Sequence, residues 1–192
     1  MLGGMTASVV APAPGELEMV RQFVNTRDVE EGTDTFATPD DLTRWLRDAS
    51  VLGSGRGTRA DADQFAAAVA LREALREAMA ANHDGAPPPP PAVGVINRVA
   101  ERAQLRLQLD EDGGWRARPR ASGVDGALGA LVALVWTAMS DGSWRRLKVC
   151  VHEACQWSFY DESKTRSAKW CSMKVCGNRA KQQAWRERRT RS

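Results

Sequence analysis

All four cysteines of the chain fall in its last quarter, at Cys150, Cys155, Cys171 and Cys176, spaced C-x4-C-x15-C-x4-C. Two local pairs separated by a loop can offer two thiolates each to one ion, and Zn2+ takes four soft ligands in a tetrahedron. A four-residue gap is at the long end of common ligand spacings, so the pattern points to zinc and leaves an iron–sulfur centre or disulfides as alternatives. The opening MLGGMTASVVAPAPGELE has no basic segment followed by an apolar run, so no secretory signal is expected. The expected location is therefore the cytoplasm, whose reducing conditions favour a metal over disulfides. His152 lies between the first two thiols and is read as structural, because four thiolates already complete the shell. A closed shell leaves no open coordination position. The ion would act as a staple, which a segment of about 45 residues requires because it cannot bury enough apolar surface by itself.

The formal net charge of +3 is unevenly distributed. Residues 143–192 hold 13 Lys plus Arg against 4 Asp plus Glu, or +9, whereas residues 1–142 hold 14 against 20, or −6. Such a concentration on a stapled segment is the electrostatic footprint of a protein that meets a polyanion, most often nucleic acid. The cations expected to make those contacts are Lys164, Arg166, Lys169, Lys174, Arg179, Lys181, Arg186, Arg188 and Arg189, with Arg191 beyond them. Trp157, Phe159, Tyr160 and Trp170 are expected to form a small core around the thiols, and Trp185 to pack the last helix onto it.

Upstream, periodicity predicts a chain rich in helices. Leu17, Val20, Phe23 and Val24 have helical spacing, and Thr38-Pro39-Asp40-Asp41 reads as a helix start running to about Asp48. A long helix is expected over Ala60 to Asn82, then a stiff connector at Pro87 to Pro91, then a helix from Val93 to Ala103. Alternation in LRLQL and WRARPR around DEDGG predicts a β-hairpin within residues 104–120. Asp125 to Met139 reads as a nearly all-apolar core helix, its uninterrupted apolar run being too short for a membrane span. Trp45, Trp115 and Trp136 are read as packing residues. The expected class is α+β, mainly α with a small hairpin. It is divided into a flexible stretch 1–13, a helical domain 14–142, and a four-cysteine finger 143–192 that ends in a basic helix.

VCVHEACQWSFYDESKTRSAKWCSMKVCGNRAKQQAWRERR resembles the CGNR zinc-finger family, whose name matches Cys176-Gly177-Asn178-Arg179. The C-x4-C pair, the F-Y-D-x-S segment, W-C-S-M at the third thiol and C-G-N-R-A-K all carry the likeness. The resemblance implies that the four cysteines bind one structural zinc and that the finger binds DNA. Phe23-Val24-Asn25-Thr26, the acidic D-L-x-x-W-L helix and the L-R-E-A-L helix are similar to ABATE, the N-terminal domain that usually accompanies this finger in bacterial stress-responsive transcription regulators.

These readings converge on a DNA-binding regulator that is not an enzyme, with double-stranded DNA as partner, no membrane, and a homodimer and a small-molecule effector as further expectations. Asn25, Thr26 and Arg27 are the candidate effector pocket, since polar groups following an apolar helix can converge on a ligand; equally, they can cap that helix. An enzyme with an N-terminal active site is the alternative, although no nucleophile, base and orienting set is evident. A finger that binds RNA or protein is another.

Overall fold

The computed structural model describes residues 10–53 and 58–190. Most of the expected flexible stretch 1–13, together with residues 54–57 and Arg191, lies outside the described residues.

The chain folds as α+β, with three two-stranded antiparallel sheets set among helices in the described residues. The helices are α1 (Leu17–Val24), α2 (Pro39–Asp48), α3 (Ala62–Ala81), α4 (Pro90–Arg102), α5 (Gly123–Asp141) and α6 (Asn178–Thr190). The strand pairs are β1 (Arg27–Asp28) with β2 (Thr33–Asp34), β3 (Arg106–Leu109) with β4 (Trp115–Arg118), and β5 (Leu147–Val149) with β6 (Ser158–Tyr160).

Capping boxes start two of the helices. Thr38 and Asp41 exchange side-chain and backbone bonds at α2, and Asp61 and Gln64 do so at α3, satisfying amide groups that the first turn leaves unpaired. The expected start of α4 needs correction. Pro90 and Pro91 are inside the helix, at its first positions, where a missing N–H costs nothing and the fixed φ already suits the turn. α5 is long and apolar enough by composition to cross a bilayer. Here it is the central helix of the core, with Val124, Leu128, Leu131, Val132 and Val135 buried. Gly129 lets it cross the end of α4 closely, because a Cβ there would stand 2.2 Å from that of Ala103.

Phe23, Phe36 and Trp45 form an aromatic triangle with centroids 5.5–5.9 Å apart. Arg72 lies over Phe36 and is almost fully buried; its guanidinium makes a bidentate pair with Asp34 at 2.7 and 2.8 Å. Burial alone would raise the Asp34 pKa, but the bonds from Arg72 and from the Phe36 amide outweigh it and hold the carboxyl below its ordinary range. Trp115 departs from its expected packing role. It is 60% exposed, opposite Leu109 in a two-stranded hairpin whose Leu107 and Leu109 are also exposed.

The core continues past residue 142. Trp144, Leu147 and Val149 belong to the same buried cluster as Val20, Leu75 and Leu131. Polar bonds reinforce this packing. Asn82 donates to the carbonyls of Trp144 (2.9 Å) and Leu147 (2.7 Å), the His83 imidazole Nε2 is 2.7 Å from the Val149 carbonyl, and Arg76 donates to the Gln156 carbonyl at 2.7 Å.

Candidate metal centre and nucleic-acid interface

β5 and β6 deliver the first cysteine pair. Cys150 follows β5 directly and donates its amide to the Trp157 carbonyl at 2.9 Å, closing a knuckle in which the Cys155 amide donates to His152 at 2.8 Å. Gln156, with φ +50, turns the chain out of the knuckle into β6. The second pair is set by a single π-helical turn, Met173–Gly177, whose start Ser172 caps by accepting from the Val175 amide. Gly177 is buried there and bonds to the Ser172 carbonyl. Its φ is ordinary, and the requirement is space, because a Cβ would come within 2.5 Å of the Met173 sulfur. The turn runs directly into α6.

The four Sγ atoms lie within 4.8 Å of one another. Cys155 and Cys171 are 3.6 Å apart, and Cys171 and Cys176 are 3.7 Å apart. A disulfide requires about 2.05 Å, whereas ligands at about 2.3 Å on a tetrahedral Zn2+ are separated by about 3.8 Å. The sulfurs therefore fit four corners around one ion. Trp157, Trp170 and Val175 pack against them. Phe159 and Tyr160 do not join this cluster; Tyr160 packs on the helical core, and Phe159 is near His83. Sulfurs this close cannot all be anionic without a cation. Hydrogen bonds from Cys155 and Cys171 pull Cys150 down to about 2, while the bond to Cys150 pushes Cys155 up to about 12. Cys171 is raised by its bonds to Cys150 and Cys155, and Cys176 chiefly by burial. A central dication supplies the charge that four thiolates need. His152 stands outside the ligand cluster, with its buried Nδ1 unpartnered.

All nine candidate cations are exposed. Lys164, Arg166 and Lys169 lie on the loop before Cys171, Lys174 on the π-turn, and Arg179, Lys181, Arg186, Arg188 and Arg189 on α6. Arg179 forms an ion pair with Glu30 on the turn between β1 and β2, a contact that sequence reasoning did not anticipate. Trp185 also departs from expectation: it does not pack α6 onto the zinc core but is 52% exposed, with the Arg189 guanidinium 4.7 Å from its ring.

Asp161 organises the basic loop. It accepts from Lys148 (2.8 Å), from the Ser163 hydroxyl (2.6 Å) and amide (3.0 Å), and from the Ala168 amide (3.0 Å). Burial would raise its pKa, yet these donors hold it below the ordinary carboxylate range. Lys148 is buried and so contributes nothing to the basic surface. Asp161 and Ser163, in D-x-S, have the signature of a local side-chain turn that could have revealed this arrangement.

Of the proposed pocket residues, Asn25 spends both amide atoms on the finger. It donates to the Ser158 carbonyl at 2.9 Å and accepts from the Ser158 amide at 2.8 Å. Thr26 donates to the Phe23 carbonyl and accepts from Arg72. Both line a cavity of about 510 Å3 with Arg21, Trp45 and Trp157; Arg27 is not part of its wall and lies 3.7 Å from Glu73.

Geometry and charge thus define a class: a small tetrathiolate metal finger, basic on its surface, docked on a helical body. Two family models match the chain. Residues 18–141 match ABATE, described as "Putative stress-induced transcription regulator", and residues 146–189 match the CGNR zinc finger. The chain belongs to the ABATE family, carries a CGNR zinc finger, and has four cysteines positioned to bind one structural zinc ion. No curated protein matches it in sequence.

Proposed function

We propose that this protein is a transcription regulator that binds double-stranded DNA through its zinc-stapled C-terminal segment. The observation that carries the reading is the placement of nine exposed cations on the elements flanking one metal centre, in a chain whose remainder is acidic. Lys and Arg on these elements neutralise phosphates, and the zinc holds those elements in one arrangement. Arg179 exchanges its Glu30 partner for the nucleic acid on binding. The helical body is the platform and the point of signal input, joined to the finger through Asn25 and Arg76. In this reading the protein works in the cytoplasm, at the nucleoid.

Titration of a labelled duplex by the zinc-loaded protein at several salt concentrations tests the proposal. With about six phosphates contacted, log affinity falls against log salt with a slope of about −5. A slope near zero would remove the electrostatic mechanism.

A further inference from the structure

The face of α6 that carries Trp185 differs from the remainder of the helix. Ala180 and Ala184 are the half-buried positions of α6, while Trp185, the largest apolar side chain on it, is turned out. At helical spacing its neighbours are Lys181, Gln182, Arg188 and Arg189, so an indole is set among cations. The π-turn is the main element against which α6 packs among the described residues, so no core is available to cover that ring. The Arg189 guanidinium lies over the ring, 4.7 Å from its centroid, in cation–π contact.

Resting on the DNA-binding reading, we propose that Trp185 is the base-contacting residue of the interface: an apolar surface that enters the duplex groove with α6 and packs against base edges. The flanking Lys181, Arg188 and Arg189 meet the backbone phosphates. Lys181, Arg188 and Arg189 beside Trp185, with Glu187 the one acid on α6, identify the occupant of this face as a polyanion. A polyanion's own apolar surface is its bases, and a helix fits the major groove where base edges and thymine methyls are accessible. This assigns the two components of affinity to different residues. Cation contacts release counterions and weaken with salt, whereas an apolar contact to bases does not.

The test measures duplex binding by the full zinc-loaded chain from low to moderately high salt, comparing wild type with Trp185→Ala, Trp185→Phe and Lys181→Ala. Zinc stoichiometry and far-UV circular dichroism confirm that each variant is folded. Burying a large apolar side chain contributes about 1.5–3 kcal/mol, so Trp185→Ala is expected to lose about 10- to 150-fold in affinity by a factor constant across the salt series. Trp185→Phe should recover part of that loss. Lys181→Ala should reduce the salt slope by about one, its deficit shrinking as salt rises. Wild-type affinity for the Trp185→Ala variant, or a loss that disappears at high salt, overturns the assignment while leaving the electrostatic reading intact. A salt-insensitive loss seen on structured RNA and not on duplex DNA moves the contact to RNA and also overturns it. Failure of the wild-type protein to bind duplex at any salt defeats the DNA-binding reading itself, and this assignment with it.

Discussion

Removing everything after residue 142 should cost the helical body most of its stability. The cut falls where composition changes and just beyond the ABATE match, yet three side chains downstream of it, Trp144, Leu147 and Val149, are buried in the body's own core. Burying a large apolar side chain contributes about 1.5–3 kcal/mol, so the three together supply about 5–9 kcal/mol. The truncation also removes the backbone partners of Asn25, Arg76, Asn82 and His83, worth about 0.5–1.5 kcal/mol per hydrogen bond. Domains of this size are stable by only about 5–15 kcal/mol, so the loss is comparable with the whole. Urea denaturation followed by far-UV circular dichroism would compare the full chain with fragments 1–142 and 1–163. The shorter fragment should be unfolded or have a much lower midpoint, and the longer one, which retains β5 and β6, should recover most of the difference. An unchanged midpoint for fragment 1–142 would refute the argument that the core crosses the boundary.

Elemental analysis should find one zinc per chain in the reduced protein; Cys→Ser at position 150, 155, 171 or 176 should lower that ratio, and His152→Ala should not, because the imidazole lies outside the cluster. Asp161→Asn should destabilise the protein by about 3–5 kcal/mol in urea, since it leaves the buried Lys148 ammonium without its counter-charge. The same carboxyl titrates below its ordinary value when folded, so its contribution is intact above about pH 4 and is lost as pH falls below that, which a pH series of melts on wild type and Asp161→Asn would reveal. Glu30→Gln should change stability little, because the Arg179 pair is solvent-exposed, but should tighten duplex binding by freeing Arg179; unchanged or weaker binding would argue against an exchange of partners.

The features legible in the sequence are those whose cause is local. Capping residues revealed α2, helix propensity revealed α3, alternation around DEDGG revealed the β3–β4 hairpin, and ligand chemistry revealed the four thiols. The β5–β6 pair was not legible, because three residues per strand are too few to display a period. Lys148 and Trp185 show a deeper reason. Sorting by residue type places lysine outside and tryptophan inside, and the structure reverses both. Lys148 is buried because Asp161, 13 residues away, offers a buried carboxylate that three other donors already hold in place. Trp185 is exposed because α6 extends from the π-turn with no core to receive the ring. Burial therefore follows the partner that the fold supplies, and partners distant in sequence leave no mark on a local pattern. The same holds for Asn25: its position after an apolar helix predicted a cap or a pocket, and it does close α1 and line a cavity, but its amide also bonds both backbone groups of Ser158 on the finger, a partner the local pattern does not show. Asn25 at the end of α1 is thus in direct contact with β6, the strand next to the metal knuckle, without an intervening linker.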